Sequence, residues 1–497
     1  MVSAMLPMVS ALLPLALKSP PVLLSMVAAL LPLARALKSP PEPTVAYVTQ
    51  QLDHFRFDET RTFSQKLLVH DAWHRPGGPL LMYFGNEGAI EDFYGNSGGL
   101  MFELAPKLNA SVAFLEHRYY GSSLPFGNAS YGSDELAFLT VEQALADMAL
   151  VLATSSEILG AADGPAVLFG GSYGGMLAAW FMLKYPHLAA GAVAASAPVD
   201  LYPGEGKERP FFDAGLEVYG TYGSAACEAD LRAALAALAA AAKTAAGRDA
   251  LARSFRTCEP LPDPVDGDRL ASYVNGALST LAMLDYPYAS AFVAPMPANP
   301  VRVACGRVAA APSAASKLKG AVDVFLNHTG ETACYDARRE LLAAPGAPPL
   351  RALGAIDRPW NYQACTELPL EPLTSDGFGF FVPQSPKALA EVEAACRDRF
   401  GVAPRPDWLR QSFGDGAQLA ASLRNVVFTD GDKDPWRVGG VPGDARALSR
   451  DGSVVHVLIA DAAHHQDLFA SDPADSPGVV AARVLEFEHV SRWVARA

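Results

Sequence analysis

The chain has 497 residues, of which 50% are hydrophobic and 19% are charged, and its formal net charge is -14. This length exceeds that of one compact domain and allows a large buried core. Because acidic residues outnumber basic ones and no basic run occurs, nucleic acid and anionic membrane surfaces are disfavoured as partners. The acidic balance suits a soluble protein of an acidic compartment.

The amino-terminal leader, taken as residues 1–44, contains two near copies of one apolar segment, at 8–21 and 26–41. Each copy is too short to cross a bilayer, is interrupted by proline and ends at lysine, so no stable membrane span is expected. We interpret the leader as a secretory signal, although it is duplicated and lacks a basic start. The alternative is a disordered leader, or one included through an incorrect start assignment.

Short apolar runs and helical spacing alternate along the first part of the chain. The runs at 79–84, 111–115 and 190–196 are typical of buried parallel strands, and apolar residues recur at helical spacing over 140–152. This alternation predicts an α/β fold with a parallel sheet.

A further apolar run, from Ala166, enters Gly-x-Ser-x-Gly at 170–174, and helix-forming residues follow at once. This order predicts a strand, a sharp turn and a helix, with Ser172 exposed at the turn as a nucleophile. Gly170 and Gly174 would leave room for the backbones that pass beside it. The alternative is a flexible glycine-rich turn with no catalytic role.

From about residue 202 the alternation stops, and alanine-rich stretches such as 227–246 predict helices. All six cysteines lie in this middle segment, which predicts disulfide bonds and an oxidising compartment. No paired Cys/His spacing indicates a metal site, and no cofactor is expected. Sequons at Asn109, Asn128 and Asn327 are candidate glycosylation sites. The alternation resumes at 424–429 and 454–459, so the middle segment is predicted to be a lid inserted into one α/β domain.

Both resumed strands are followed by residues that could complete a catalytic site with Ser172. Asp430, Asp432 and Asp434 follow the first strand, and His464 and His465 follow the second. The chain order Ser, Asp, His is that of α/β-hydrolases. Residue type does not decide among the three aspartates or between the two histidines, and polar turns after the strands are the alternative.

Several motifs together resemble the proline-specific serine exopeptidases, the family that includes lysosomal Pro-X carboxypeptidase and dipeptidyl-peptidase II. The resemblance extends from about residue 50 to the end of the chain, and dipeptidyl-peptidase II is the closer of the two. The motifs are QLDHF (51–55), FGNEG (84–88), EHRYYG (116–121), LPFG (124–127), GGSYGG (170–175), DYPY (285–288), YQACTE (362–367), DPW (434–436) and AHH (463–465).

The resemblance implies an α/β-hydrolase fold with a mostly helical, disulfide-bonded cap inserted in the middle of the chain. The expected parts are an α/β-hydrolase domain at 45–201 and 407–497 and a cap at 202–406. The implied catalytic triad is Ser172, Asp434 and His464. The implied disulfides join Cys227 to Cys305, Cys258 to Cys334, and Cys365 to Cys396.

Roles for further residues follow from the expected chemistry. The backbone N–H of Tyr173 and a donor at Asn86, in the loop after Phe84, are the candidate oxyanion donors. By resemblance, the apolar walls of a proline pocket are Met176, Trp360, Leu370 and Trp436. Ordinary core packing is the alternative, above all for Met176 and Leu370.

The implied activity is hydrolysis of peptides after proline or alanine through an acyl-enzyme. Release of amino-terminal dipeptides is preferred, with Glu87 as a candidate anchor for the substrate ammonium group. Asn361 is a departure, because dipeptidyl-peptidase II carries an aspartate there. The alternatives are a Pro-X carboxypeptidase and an inactive hydrolase-fold binding protein. The expected location is the lysosome, the vacuole or the extracellular space, with proline-containing peptides as substrates and a homodimer as a candidate assembly.

Overall fold

The structure, a computed structural model, describes residues 39–155, 164–202, 208–337, 353–368, 393–394, 396–442, 449 and 451–497. Nearly all of the leader, including both apolar copies up to residue 38, and the predicted pocket residue Leu370 lie outside these residues. None of the helices in the described residues combines the length and apolar character that a bilayer crossing requires.

The strands of the described residues form one eight-stranded sheet in the order β1-β2-β4-β3-β5-β6-β7-β8. The strand β2 pairs antiparallel with β1 and β4, and the remaining neighbours pair parallel. The strands are β1 (Thr44–Gln51), β2 (Thr62–His70), β3 (Leu80–Phe84), β4 (Ser111–Leu115), β5 (Ala166–Gly171), β6 (Gly191–Ala195), β7 (Val426–Gly431) and β8 (Val454–Ile459).

Helices cover both faces of the sheet and form the segment inserted between β6 and β7. They are α1 (Ile90–Ser97), α2 (Gly99–Leu108), α3 (Val141–Ala153), α4 (Tyr173–Lys184), α5 (Glu208–Val218), α6 (Ala225–Ala242), α7 (Ala245–Phe255), α8 (Pro264–Met283), α9 (Pro300–Ala310), α10 (Ala314–Leu326), α11 (Leu353–Ala364), α12 (Trp408–Phe413), α13 (Gly416–Ser422) and α14 (Pro477–Arg496). Short 3-10 turns at Pro435–Gly439 and Gln466–Leu468 follow β7 and β8.

The central strands are apolar because both of their faces are covered. Every residue of β3, β4, β6 and β7 is buried. One layer of the core lies between the sheet and α3 and α4, and another lies between the sheet and α2 and α14. The strands predicted at 79–84, 111–115, 190–196, 424–429 and 454–459 are thereby confirmed, as is the predicted α/β-hydrolase fold.

The inserted segment has a hydrophobic core of its own, built mainly from α5 to α10. Its three disulfides, Cys227–Cys305, Cys258–Cys334 and Cys365–Cys396, join the pairs that the resemblance implies. The first joins α6 to α9 across 78 residues, and the second joins the loop after α7 to the loop after α10 across 76 residues. The predicted helical, disulfide-bonded cap is therefore confirmed.

Two local predictions differ from the structure. The helix predicted over 227–246 is two helices, α6 and α7, because the Thr244 hydroxyl accepts the N–H of Gly247 and starts a new helix. The antiparallel β1–β2 hairpin at the start of the sheet was not predicted. Its edge strand β1 leaves Val45 and Tyr47 exposed, and its apolar run is only four residues long, 45–48.

Candidate active site

Ser172 lies at the junction of β5 and α4 in a strained conformation, with φ 57° and ψ -125°. The chain can turn this sharply only because two flanking residues lack side chains. A Cβ atom on Gly170 would lie 2.1 Å from the carbonyl oxygen of Gly174, and one on Gly174 would lie 2.8 Å from that of Phe84. Ser172 remains partly exposed, and its side chain does not cap α4. This is the geometry of a nucleophile elbow.

The three aspartates predicted to follow the strand β7 bind different partners, and Asp430 in fact lies within that strand. The Asp434 carboxylate accepts a hydrogen bond from His464 Nδ1 at 2.5 Å. Asp430 lies 2.9 Å from His456 Nε2, whereas Asp432 accepts from the Tyr222 hydroxyl at 2.6 Å. Of the three aspartates, Asp434 is therefore the one that binds His464.

The Asp434 bond also fixes the tautomer of His464. Since the carboxylate accepts the Nδ1 proton, Nε2 of the neutral ring carries a lone pair that can take a proton. Asp434 is fully buried, and its second oxygen accepts the backbone N–H of Trp436 at 3.0 Å. This second bond holds the carboxylate in one orientation.

His465 has a different environment from that of His464. Its backbone N–H donates to Ser196 Oγ at 2.8 Å, and a Cβ on Gly171 would lie 2.9 Å from its ring. The loop that carries both histidines thus packs against the residue before Ser172. Burial and the neighbouring His464 lower the pKa of His465 well below its usual value, so this ring stays neutral.

The two candidate oxyanion donors lie at the elbow. Tyr173 is the first residue of α4, where backbone N–H groups have no partner within the helix. The Asn86 side chain donates to the carbonyl oxygen of Gly171 at 2.6 Å and accepts from the Tyr83 hydroxyl at 3.2 Å. Because that amide braces the elbow, Asn86 would contribute its backbone N–H to an oxyanion.

A buried chain of hydrogen bonds holds the Tyr173 side chain, and sequence reasoning missed it. His117 Nδ1 lies 2.7 Å from the carbonyl oxygen of Arg118 and must donate, so Nε2 accepts from the Tyr173 hydroxyl at 3.1 Å. Gln363 of α11 donates to the same hydroxyl at 2.9 Å and accepts from the Tyr120 hydroxyl at 2.6 Å. Burial lowers the pKa of His117 to about 4, which keeps it neutral. The network joins the cap to the elbow.

The residues around this network explain other quoted motifs. Arg118 is fully buried and binds both oxygens of Asp147, at 2.6 and 2.7 Å, and His54 lies 2.8 Å from the same carboxylate. Glu116 accepts bonds from Ser122 and Ser123 and from the N–H of Ile90. These motifs build the scaffold beneath His117 and Tyr173.

The predicted pocket residues have separate environments. The Trp360 ring lies edge-on to Tyr173, with centroids 5.6 Å apart, and Trp436 packs in the same way against Phe211 of α5 at 4.9 Å. Met176 is buried in the core beneath the elbow. The walls of a proline pocket remain a prediction for these residues.

Two polar residues that were predicted to take part in substrate recognition, Glu87 and Asn361, lie in the described part of the chain. One oxygen of Glu87 is buried without a partner among the described residues. Burial raises the pKa of Glu87, and the nearby His464 acts to lower it. Asn361 is half buried, and its Nδ2 also has no partner among those residues.

The candidate glycosylation sites differ in exposure, since Asn109 and Asn128 are exposed and Asn327 is half buried. No group of three or more His, Cys, Asp or Glu side chains in the described residues is arranged to hold a metal ion.

The chain is similar in sequence to known serine peptidases. The profile of the family described as serine carboxypeptidase S28 matches residues 50–486. The chain belongs to this serine peptidase family. Among S28 relatives, human lysosomal Pro-X carboxypeptidase is 37% identical over 463 residues, covering 91% of this chain and 88% of the relative. Human thymus-specific serine protease is 30% identical over 478 residues, covering 92% and 87%.

A solved structure of proline iminopeptidase from Mycobacterium smegmatis is also similar, with a TM-score of 0.36 and 11% identity. The match covers 91% of this S28 chain and 99% of the iminopeptidase chain.

Proposed function

We propose that this S28 peptidase hydrolyses peptides on the carboxyl side of proline, with Ser172 as nucleophile, His464 as general base and Asp434 as the orienting carboxylate. The observation that carries the proposal is the Asp434–His464 hydrogen bond between the loops after β7 and β8, together with the strained Ser172 turn at the carboxyl end of β5. Three groups from distant parts of the chain thus have the chemistry and order of a Ser-His-Asp triad.

In the first half of the reaction, Ser172 Oγ attacks the carbonyl carbon of the scissile bond while His464 Nε2 takes the hydroxyl proton. His464 then gives this proton to the leaving nitrogen, the C–N bond breaks and an acyl-enzyme remains. Water repeats the sequence with His464 as base, which releases the acid product and restores the serine. Asp434 stabilises the imidazolium that forms in each half.

The developing oxyanion would be bound by the N–H groups of Tyr173 and Asn86. Removal of one such donor typically costs about 3 kcal/mol of transition-state stabilisation. The hydrogen-bonded Tyr173 side chain supports this role, because it fixes the residue whose N–H must point at the oxyanion. The proline ring of the substrate would pack against the aromatic ring of Trp360.

We infer that the product released is a carboxyl-terminal residue, as the name Pro-X carboxypeptidase states for relatives at 37% identity. Asn361 supports this choice because it offers no charge to a substrate ammonium group. Glu87 offers a carboxyl group, but burial favours its neutral form in the free enzyme. Amino-terminal dipeptide release, the activity preferred from the sequence, is the second candidate, and the presence of Glu87 near His464 favours it.

A paired substrate assay separates the two activities. Peptides ending in Pro-Phe should lose phenylalanine at the same rate whether or not their amino terminus is acetylated. An X-Pro arylamide with a free amino terminus should be a poor substrate. Cleavage of the arylamide that acetylation abolishes would instead establish dipeptide release. Ser172→Ala is the control and should remove either activity.

The lysosome, the vacuole or the extracellular space is the proposed location. The duplicated leader, the three disulfides and relatives named lysosomal support it. Disulfides persist in such oxidising compartments.

A further inference from the structure

The end of α8 and the turn that follows it, residues 283–286 of the cap, contact the backbone of His464 on both sides. The His464 N–H donates to the carbonyl oxygen of Met283 at 2.9 Å. The carbonyl oxygen of His464 accepts from the Tyr286 hydroxyl at 2.9 Å. Both polar backbone groups of the proposed base are thus bound by the inserted segment rather than by the α/β-hydrolase domain.

The same turn also binds the loop of the catalytic carboxylate. Lys433, the residue before Asp434, is buried and places Nζ 3.1 Å from both the carbonyl oxygen and a carboxylate oxygen of Asp285. The other carboxylate oxygen of Asp285 accepts the N–H of Val301 at the start of α9 at 3.0 Å. The turn is therefore anchored within the cap while it contacts both catalytic loops.

The backbone beside His464 needs such support. His465 has φ 34°, a left-handed conformation that residues with side chains adopt at a cost. Strained backbone persists only where the surrounding structure holds it. The hydrogen bond that Met283 accepts and the one that Tyr286 donates both hold the loop at His464, the residue immediately before the strained position.

Tyr286 is well placed to act as a rigid support. Its side chain is fully buried and stacks on Phe469 with centroids 4.9 Å apart and on Tyr288 with centroids 5.9 Å apart. Burial raises its pKa well above the usual value, so the hydroxyl remains a donor at any pH at which the protein works. The neighbouring Tyr288 hydroxyl is also buried but has no hydrogen-bond partner in the described part of the chain.

We propose that Tyr286 is a positioning residue for the general base, and that the cap turn 283–286 is part of the catalytic apparatus as well as of the lid. The proposal rests on the proposed role of His464. It assigns to the cap a function that does not depend on which peptide is bound. An open, undocked cap would leave Ser172 without a correctly placed base.

Tyr286→Phe tests this proposal, with Tyr288→Phe as the matched control. Both substitutions remove one buried hydroxyl and keep the stacked rings, but only the first removes a hydrogen bond to the base loop. We expect Tyr286→Phe to lower kcat by about 10-fold or more, since a misplacement of about 1 Å can cost about 100-fold. KM should stay within about twofold, and Tyr288→Phe should behave as the wild type.

A second readout separates base placement from substrate binding. A small fluorophosphonate probe is expected to make few contacts with the cap. The rate at which it labels the active-site serine still depends on the general base. It should fall by the same factor as kcat in Tyr286→Phe. All rates are expressed per folded molecule, with folding checked by circular dichroism and thermal unfolding.

Asp285→Asn offers an independent test of the same turn. Asparagine keeps an oxygen for the Val301 N–H but removes one of the two carboxylate charges that face Lys433, the other being Asp461 at 2.7 Å. A loss of kcat is therefore expected here too. If folded Tyr286→Phe has the kcat and the labelling rate of the wild type, the proposal is overturned. If Tyr286→Phe does not fold, the same result in folded Asp285→Asn overturns it. A wild-type protein that neither reacts with the probe nor cleaves peptides would instead contradict the proposed function.

Discussion

Removal of the Tyr173 hydroxyl tests the buried network that joins the cap to the elbow. In Tyr173→Phe the ring keeps its place against Trp360, but two hydrogen bonds are lost. Gln363 Nε2 loses its acceptor and His117 Nε2 loses its donor, and both residues are buried. The substitution therefore leaves two polar atoms unsatisfied.

The magnitude follows from these two atoms. Each buried polar group left without a partner costs about 1–3 kcal/mol, so Tyr173→Phe should lower the free energy of unfolding by about 2–6 kcal/mol. Tyr120→Phe removes only the bond at the end of the chain, to Gln363 Oε1. It should lower the free energy of unfolding by about half as much.

Urea unfolding at pH 7, followed by tryptophan fluorescence and circular dichroism, measures both differences. The difference between wild type and Tyr173→Phe should shrink as the pH falls through about 4, because protonated His117 no longer accepts the tyrosine proton. The kcat of Tyr173→Phe should also fall, since the ring fixes the residue that supplies the first oxyanion donor. Unfolding free energies within about 0.5 kcal/mol of wild type for both variants would refute the network.

The remaining predictions concern three carboxyl groups. Burial raises the pKa of Glu367 to about 8, and its carboxylate accepts the N–H of Val141 at 2.6 Å. Because the folded-state pKa of Glu367 lies above its unfolded value, the stability that Glu367 contributes should be complete below about pH 4.5 and should fall by up to ~5 kcal/mol as the pH rises to 8. Glu367→Gln should flatten that slope in urea unfolding at pH 4.5, 6 and 8, and an unchanged slope would contradict the argument. Asp434→Asn should lower kcat by about 10⁴-fold, because asparagine no longer keeps the proton of neutral His464 on Nδ1. Asp430 binds His456 instead, so Asp430→Asn should lower kcat by less than about tenfold. Equal losses in the two variants would show that the wrong aspartate has been selected.

The sequence predicted the elements whose signals are local. The strand before Ser172 and the helix after it follow from an apolar run, two glycines and helix-forming residues, which lie within 20 positions. The choice of Asp434 over Asp430 and Asp432 needed either the resemblance or the structure, because all three lie within five residues at the carboxyl end of the same strand. Their separation depends on which way each side chain points when the sheet is formed.

Contacts between distant segments could not be predicted in this way. Gln363 and Tyr173 are 190 residues apart, and Tyr286 and His464 are 178 apart. Both pairs join the cap to the α/β-hydrolase domain, and their geometry depends on how the two parts pack. The motifs YQACTE and DYPY indicated that these segments matter, but not what they touch.

The central claim is that Ser172 is a nucleophile activated by His464. The most direct measurement is stoichiometric reaction with a fluorophosphonate, followed by peptide mapping by mass spectrometry. We predict one adduct per chain, on Ser172, formed far more slowly in His464→Ala and absent in Ser172→Ala. An adduct on another serine, or peptide hydrolysis that survives Ser172→Ala, would contradict the account.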